Sequence, residues 1–216
     1  NGMSEQVLQT AYELAVSAPG RVFPIQADLS QRPEVQRLFD ESLQKLGGLD
    51  ILFVNHGIQR RHKAEDFPLK DWDDILEVNL SSVFMLDQLA GQYMLANGGG
   101  KIINVASLIS FIGGMRVPAY AATKGGVAQL TKAFSNEWAG RGVTVNAIVP
   151  GYIHTDMTDD LVHDTGFGAS LLARIPVGRW GVPDDLKGIA IFLASPASDY
   201  VSGAVIPVDG GIATTR

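Results

Sequence analysis

The chain has 216 residues, a hydrophobic content of 46% and a formal net charge of −6 at pH 7. This length suits a single domain with a sizeable core, and the acidic balance argues against a nucleic-acid-binding surface. The absence of cysteine excludes disulfides, thiolate catalysis and cysteine metal sites, and we expect no metal site. Since no apolar run approaches the length of a membrane span, we expect a cytoplasmic globular protein without a membrane partner.

The first third of the chain alternates helical and strand-like patterns. Apolar residues at helical spacing predict a helix over Ser4–Ser17, and the run RVFPIQ (Arg21–Gln26) predicts a short strand. A second helix is predicted over Pro33–Leu46. Ser30 is its candidate N-cap and Gly47 its C-terminal stop.

The remaining elements continue the alternation to the end of the chain. LDILFVN (Leu49–Asn55) is almost continuously apolar, which is typical of a strand buried on both faces. The further predicted strands are Lys101–Ser107, Val143–Pro150 and Gly203–Gly211. The predicted helices are Leu69–Ala96, Ala119–Gly140 and Asp184–Ala194.

Strands that alternate with helices of ten or more residues indicate βαβ units and a parallel sheet covered on both faces. We therefore expect residues 1–216 to form one α/β domain, since neither a linker nor a repeat interrupts the pattern. Ligands bind such sheets beyond the carboxyl ends of the strands. The candidate residues at those ends are Asp28, Asn55-His56-Gly57, Ser107 and Pro150-Gly151.

The stretch PAYAATKGG places Tyr120 and Lys124 four residues apart, on one face of the predicted helix. A nearby cation favours a phenolate, so Lys124 is expected to lower the pKa of Tyr120 and make it a usable acid or base. Taken alone, the pair is also compatible with a chance arrangement on a surface helix.

Two further polar residues can complete a catalytic group. Ser107 precedes Tyr120 by thirteen residues and can hydrogen-bond a substrate oxygen while the tyrosine exchanges its proton. Asn79 lies in an otherwise apolar helical stretch. It is a satisfied core amide, the mark of a helix kink, or the anchor of a water beside Lys124.

These residues together resemble the short-chain dehydrogenase/reductase family. The resemblance rests on Asn79, Ser107, Tyr120-Ala121-Ala122-Thr123-Lys124, Pro150-Gly151 and Val208-Asp209-Gly210-Gly211. It implies a Rossmann-like, doubly wound parallel sheet and hydride transfer with a nicotinamide cofactor, the protein supplying orientation and proton transfer.

The resemblance also implies residue roles. Tyr120 becomes the general acid/base, Ser107 orients the substrate oxygen, Lys124 lowers the tyrosine pKa and holds the nicotinamide ribose, and Asn79 anchors a relay water. The residues implied to contact the cofactor, besides Tyr120 and Lys124, are Asp28, Leu29, Asn55, Gly57, Pro150, Gly151, Ile153 and Thr155.

The chain departs from the family pattern in two places. The family usually reads Asn-Asn-Ala-Gly where this chain has Val54-Asn55-His56-Gly57, and the role of His56 is open. The family's first two strands and Gly-rich phosphate-binding turn are missing from the given chain. We expect the native protein to have this head, and the given chain to bind the cofactor poorly or not at all.

Several stretches, among them GIQRR and RIPVGRWG, resemble the sugar-acid branch of the family, the 2-deoxy-D-gluconate 3-dehydrogenases and 2-dehydro-3-deoxy-D-gluconate 5-dehydrogenases. Arg116, four residues before Tyr120, can grip a substrate carboxylate, although an interface or solvent-facing role is equally compatible. Arg60 and Arg61 are secondary candidates. The segment Asp156–Trp180 is expected to be a mobile substrate lid, with Arg179 and Trp180 near a subunit interface.

The resemblance implies a homotetramer, with the last strand and the Tyr120 helix at interfaces, and the sugar-acid branch favours NAD without excluding NADP. Two alternatives stay open. One is a 3-oxoacyl-thioester reductase or polyol dehydrogenase of the same family, which does not need Arg116. The other is a catalytically silent binding or scaffold protein, because the phosphate-binding turn is missing.

Overall fold

The computed structural model describes residues 9–11, 13–14, 16, 22–155 and 158–214. Its centre is a parallel sheet of four strands in the order β1–β2–β3–β4. The strands are Ile51–Val54 (β1), Gly100–Val105 (β2), Val143–Pro150 (β3) and Val205–Val208 (β4). The α/β class and the parallel sheet predicted from the sequence are confirmed.

Helices connect the strands and cover the sheet. The α-helices are Arg32–Leu46 (α1), Leu69–Leu76 (α2), Ser82–Ala96 (α3), Pro118–Trp138 (α4), Asp159–Val162 (α5), Phe167–Leu172 (α6) and Lys187–Ala194 (α7). None of the helices in the described ranges is both long and apolar enough to cross a bilayer.

Helix α1 agrees with its prediction except at its N-cap. The helix ends at Gly47, whose φ of 79° is the left-handed conformation that glycine adopts without strain. Its N-cap is Gln31 and not Ser30. Both the amide and the hydroxyl of Ser30 donate instead to Asp28 Oδ1, at 3.0 and 2.8 Å, so the serine closes a turn in front of the helix.

The predicted strand at Arg21–Gln26 is wrong for the residues that the structure describes. Residues 22–28 have no regular secondary structure, and the sheet of the described chain ends at β1. A strand requires a hydrogen-bonded neighbour, which a sequence pattern cannot supply. The predicted helix Ser4–Ser17 lies largely outside the described residues, although residues 9–11, 13–14 and 16 are helical.

The prediction that β1 is buried on both faces is also wrong. Ile51 and Phe53 are 42% and 44% exposed, whereas Val54 on the opposite face is buried. Phe53 is in register with Ile103 of β2, so both side chains lie on one face of the sheet. Leu193 of α7 covers Ile103 but does not extend to β1, and the outer part of this face is therefore open.

Helices α3 and α4 pack together on the other face of the sheet. Met94 and Trp138 contact Ile102 of β2 in one apolar cluster, and the Phe134 ring stacks on Trp138 with centroids 4.3 Å apart. The two helices approach closely at Gly91, where a Cβ atom would lie 2.6 Å from Cη2 of Trp138. A glycine is therefore needed at this crossing.

A small polar cluster is enclosed in this layer. Asn104 of β2 donates from Nδ2 to Asp87 Oδ2 of α3 at 2.9 Å and to Thr131 Oγ1 of α4 at 3.3 Å. All three residues are fully buried. Burial raises the pKa of Asp87 to about 7, although the hydrogen bond from Asn104 opposes this rise.

The predicted long helix Leu69–Ala96 exists, but a π-helical turn over Glu77–Ser81 interrupts it. The amide of Ser82 donates to Glu77 O, five residues back, as a π turn requires. Asn79 sits at the middle of this turn and is completely buried. Insertions of this kind occur often at functional sites.

Candidate active site

Four predicted catalytic residues lie on three elements that meet at the carboxyl edge of the sheet. Asn79 is on the π turn, Ser107 follows β2, and Tyr120 and Lys124 occupy the first turns of α4. Pro118 starts α4, because a proline at the first helical position lacks only an amide that the helix does not use.

Lys124 is 96% buried yet has few partners. Its Nζ donates to the carbonyl of Val105, at the end of β2, at 2.7 Å, and it lies 5.8 Å from the centroid of the Tyr120 ring. Burial lowers the pKa of Lys124 to about 8. An ammonium has three donors, and the described residues accept one of them, so two N–H groups are left for ligand hydroxyls.

The expected lowering of the Tyr120 pKa is not found. Burial raises the pKa of this phenol above 10, and a hydrogen bond with Ser107 opposes the rise. Lys124 is a neighbour of Tyr120, as the spacing predicts, but its ammonium points to the Val105 carbonyl. Desolvation of the phenol therefore outweighs the hydrogen bond with Ser107 in this arrangement.

Ser107 is fixed by a short turn at Leu108–Ser110. Its Oγ accepts from the amide of Ile109 at 3.3 Å, and its own amide donates to Ser110 Oγ at 3.3 Å. The Ser110 hydroxyl donates to the Lys124 carbonyl at 2.7 Å and so ties the turn to α4. These hydrogen bonds between side chains and backbone keep Ser107 next to the helix that carries Tyr120.

Asn79 combines both properties that its sequence context suggested, a satisfied buried amide and an irregular helix. Its Oδ1 accepts from the amide of Ile58 and its Nδ2 donates to the Ile58 carbonyl, both at 2.8 Å. The loop after β1 passes close by, since a Cβ atom on Gly57 would lie 3.5 Å from Asn79 Oδ1 and 3.7 Å from Lys124 Nζ. Gly57, Asn79 and Lys124 are therefore direct neighbours.

His56 points into the protein from the same loop. Its Nε2 lies 3.0 Å from the Val78 carbonyl and 2.6 Å from Ser82 Oγ, both on the interrupted helix. Burial, together with the positive charge of Lys124, lowers the pKa of His56 to about 4, against an opposing hydrogen bond to Val78.

The other residues implied to contact a cofactor lie along the same edge of the sheet. Asn55 follows β1 and is exposed, and Pro150 and Gly151 follow β3, where the Gly151 amide donates to the Val208 carbonyl at 3.0 Å. Ile153 pairs with Gly181, and the Thr155 amide donates to Thr158 Oγ1 at 3.0 Å. Asp28 and Leu29 form the turn before α1, where Asp28 is exposed and Leu29 is half-buried.

Arg116 lies on the loop before α4 in an unusual backbone conformation. Its φ is 65°, the one left-handed value recorded for a non-glycine residue of the described chain. Its carbonyl accepts from the His62 amide at 3.1 Å, while the residue itself is exposed. The guanidinium is therefore available to a ligand. Arg60 is exposed as well and donates to the Gln59 carbonyl at 3.1 Å.

Sequence reasoning missed a second basic group around Tyr152. This tyrosine follows Pro150-Gly151 and packs its ring edge-to-face on Trp180, with centroids 5.6 Å apart. Burial raises the pKa of Tyr152, and the charges of Arg174 and Arg61 oppose that rise. Its place just after a strand was the available signal, but the two arginines come from distant segments.

The candidate lid contains α5 and α6. Residues 156–157 at its start lie outside the described residues. At its far end Arg179 forms a bidentate ion pair with Asp185, with N–O distances of 2.7 and 2.8 Å. Arg179 and Trp180 thus have partners within the chain, and the expectation that they lie at a subunit interface stays a prediction.

Comparisons with known proteins agree with this arrangement. A family model described as enoyl-(acyl carrier protein) reductase matches residues 2–213. The 2-dehydro-3-deoxy-D-gluconate 5-dehydrogenase of Bacillus subtilis is 52% identical over 197 residues, which are 91% of this chain and 77% of that protein.

Solved structures share both sequence and fold. A Beutenbergia cavernae protein described as an NAD(P)-dependent gluconate 5-dehydrogenase, with NADP bound at low occupancy, superposes with a TM-score of 0.93 at 42% identity, covering 98% of this chain and 84% of that one. The gluconate 5-dehydrogenase of Burkholderia cenocepacia, in complex with NADP and tartrate, gives 0.90 at 39% identity, covering 98% and 83%.

Proposed function

The chain belongs to the short-chain dehydrogenase/reductase family, and we propose that it is an oxidoreductase that moves a hydride between a nicotinamide cofactor and a hydroxyl or ketone group of a deoxy sugar acid. The observation that carries this proposal is the position of Tyr120 on the first turn of α4, with its ring centroid 5.8 Å from the buried ammonium of Lys124 and with Ser107 near enough to lower its pKa. A phenol, a hydroxyl and an ammonium in this order suit proton exchange at a substrate oxygen.

Each side chain has a distinct task in the proposed reaction. Tyr120 gives or takes the proton of the substrate oxygen, and Ser107 hydrogen-bonds the same oxygen to fix its position. Because burial keeps the phenol protonated, Tyr120 is ready to act as an acid when a ketone is reduced. For oxidation of an alcohol the phenol must lose its proton, which Lys124 favours once its ammonium turns from Val105 towards the site.

Lys124 and its neighbours fit a nicotinamide cofactor. The two unused N–H donors of Lys124 suit ribose hydroxyls, and Gly57 brings the loop backbone next to Lys124 without a side chain between them. The cofactor supplies the hydride when bound. We propose NAD, following the sugar-acid resemblance, while the solved relatives hold NADP, so both nucleotides belong in the assay.

We assign the substrate carboxylate to Arg116. Its exposed guanidinium lies on the loop that leads into the Tyr120 helix, and it can hold a carboxylate with two parallel hydrogen bonds. The hydroxy acid tartrate in the Burkholderia relative supports an anionic substrate. Arg61, close to Tyr152, is the alternative partner of the same carboxylate.

An acyl-thioester reductase or a polyol dehydrogenase is the weaker candidate. Neither class of substrate offers a carboxylate to Arg116 next to the reacting group. The B. subtilis relative is named as a dehydrogenase of a sugar acid. A silent scaffold does not need a buried lysine beside a phenol, an arrangement that costs desolvation energy.

We further propose that the protein is a homotetramer. An apolar groove between α3 and α4 is lined by Leu80, Phe84, Met85 and Leu130, and Phe84 is 38% exposed. On α7, Ile191 is 69% exposed. Two apolar surfaces on different sides of a chain suit an assembly with two kinds of two-fold interface. The cytoplasmic location stays a prediction.

A steady-state assay of the native-length protein with gluconate, 2-deoxy-D-gluconate and 2-dehydro-3-deoxy-D-gluconate, each with NAD(H) and NADP(H), tests the proposal. We expect turnover of a sugar acid, and a kcat about a hundredfold or more lower in Tyr120→Phe, since general acid–base catalysis contributes about 10²–10⁴-fold. A cofactor titration of Tyr120→Phe controls for lost binding. Sugar-acid turnover that survives in Tyr120→Phe contradicts the proposed mechanism.

A further inference from the structure

We propose that His56 is a positioning residue of the active site: its imidazole holds the π-helical turn Glu77–Ser81 against the loop after β1, and so fixes Asn79 beside Lys124. This inference rests on the proposed function for its catalytic meaning, although the structural part stands without it. The family pattern has an alanine at this position, which cannot make such contacts.

The first step is the assignment of hydrogens around the Val78 carbonyl. Ser82 Oγ lies 2.6 Å from this oxygen and donates its single hydrogen to it. His56 Nε2 is 3.0 Å from the same oxygen, a contact between two acceptors unless Nε2 carries a hydrogen. Nε2 also lies 2.6 Å from Ser82 Oγ, whose hydrogen is already used, so the imidazole is protonated on Nε2 and shares this hydrogen between Ser82 Oγ and Val78 O.

The second step explains why this carbonyl needs such partners. A π turn is rare within an α-helix, so it persists where other contacts favour it. Here the contacts come from a histidine 22 residues earlier in the chain and from Ser82, which is fully buried. His56 thus stabilises the irregular backbone in which Asn79 is embedded.

The third step connects the turn to the loop at two points. His56 binds the Val78 carbonyl, and two residues later Ile58 exchanges two hydrogen bonds of 2.8 Å with Asn79. Gly57 lies between these contacts, next to both Asn79 and Lys124. Without the hydrogen bond from His56 to the Val78 carbonyl, the loop and the turn are still joined by the two hydrogen bonds between Ile58 and Asn79. These two bonds then have to hold Asn79 in place alone.

The fourth step concerns charge. Since burial and the nearby Lys124 keep the imidazole neutral at ordinary pH, His56 is not a proton store for the reaction. The groups that face it are Val78 on the turn, Ser82 at the start of α3 and Lys124 from α4. His56 therefore acts as a permanent hydrogen-bond donor. Its titration should not appear in the pH dependence of kcat.

The test compares hydrogen exchange in four forms of the purified protein: wild type, His56→Ala, His56→Gln and His62→Ala. His56→Gln keeps a side-chain N–H near the position of Nε2. His62→Ala removes an imidazole of the same loop whose 2.6 Å partner is Asp71, away from the turn. We expect about tenfold faster exchange of the Ile58 and Asn79 amides in His56→Ala alone.

Kinetics on the same variants separate positioning from general stability. We expect kcat to fall about tenfold or more in His56→Ala with an unchanged KM for the sugar acid, since small displacements at a reacting centre are costly. His56→Gln should recover most of this loss. If His56→Ala does not fold, His56→Leu, which fills the space without a donor, replaces it.

The outcomes are distinguishable. Unchanged amide exchange in the variant without a donor overturns the inference, whatever the activity. Wild-type kcat in that variant, with an inactive Tyr120→Phe, overturns the catalytic part and leaves the proposed function intact. An active Tyr120→Phe removes the proposed function, while the exchange data still decide whether His56 holds the turn.

Discussion

At Tyr120 two local effects compete, and the phenol pKa follows the stronger one. Burial raises the pKa and the hydrogen bond with Ser107 opposes it, while Lys124 donates its hydrogen bond to Val105. The spacing of four residues correctly predicts that the phenol and the ammonium are neighbours. It does not predict the direction in which the ammonium points. Proximity read from a sequence is therefore safer than a pKa read from it.

Arg116 offers a test of substrate recognition at a single residue. Arg116→Ala should raise the KM for a sugar acid about tenfold or more with little change in kcat, because a charge-assisted bidentate contact is lost. Arg116→Lys keeps the positive charge but lacks the planar guanidinium, so its KM for the sugar acid should lie between those of the wild type and Arg116→Ala. Both variants share the left-handed backbone cost at this position.

Steady-state kinetics on a neutral polyol provide the control for Arg116. A polyol has no carboxylate, so the variant loses no contact with this substrate. If KM for the acid does not move in Arg116→Ala, the carboxylate is bound elsewhere. Arg61→Ala then becomes the informative variant, because the charge of Arg61 acts on Tyr152, which follows Pro150-Gly151.

Between elements, the crossing of α3 and α4 sets a limit on side-chain size. A Cβ atom on Gly91 would lie 2.6 Å from Cη2 of Trp138, well inside van der Waals contact. Gly91→Ala should therefore lower the free energy of unfolding by about 1–3 kcal/mol, the usual cost of overpacking. Thermal unfolding measures this directly.

Gly188→Ala on α7 is the matched control, since no heavy atom lies within 4 Å of the added Cβ. There the substitution should be neutral or stabilising by up to about 1 kcal/mol, because alanine has the higher helix propensity. Equal effects at the two glycines would rule out steric overlap as the cause.

The buried Asp87 links α3 to β2 and makes stability depend on pH. Its folded pKa of about 7 lies above the ordinary value of 3.8, so the unfolded chain loses this proton first as pH rises. The stabilisation is present in full below about pH 4 and is lost progressively up to about pH 7. Three pKa units correspond to about 4 kcal/mol.

Asp87→Asn has no proton to lose, so its free energy of unfolding should rise relative to that of the wild type between pH 4 and 7 and then stay constant. Urea unfolding at four pH values provides the measurement. Asp160→Asn, an exposed carboxyl on α5, serves as control. A difference between Asp87→Asn and wild type that does not vary with pH contradicts a buried, neutral carboxyl.

For the whole molecule, the groove between α3 and α4 gives the test of assembly. Ala133 lines this groove and is exposed, so Ala133→Arg places a charge there without removing an existing contact. We expect the variant to shift from tetramer to smaller species in light scattering coupled to size exclusion. Asn136→Arg, exposed on the same helix, should leave the mass unchanged.

Much of the architecture was predictable because it depends on local pattern. The strand predicted over Val143–Pro150 and the helix predicted over Ala119–Gly140 correspond to β3 and α4, and the order of strands and helices predicted a parallel sheet. The strand at Arg21–Gln26 failed because pairing depends on a neighbour and not on the segment itself. The predicted burial of β1 on both faces was wrong for the same reason, since the elements that cover a strand lie elsewhere in the chain.

In the candidate site, the sequence supplied the residues and the structure supplied their relations. Asn79, Tyr120 and Lys124 lie together as their placement predicted. The charges of Arg61 and Arg174 both lower the pKa of Tyr152, although the three residues belong to separate segments that no spacing rule brings together. The role of His56 also needed a three-dimensional neighbour, the Val78 carbonyl of a π turn.

The order of the sheet has a consequence for synthesis on the ribosome. Because β1 to β4 are neighbours in the same order as in the chain, each of the strands β2 to β4 emerges after its partner has been made. The growing edge then belongs to the newest strand, and no later segment has to be inserted between two earlier ones. These four strands can therefore assemble in one direction during translation, each covering the unpaired edge left by the one before.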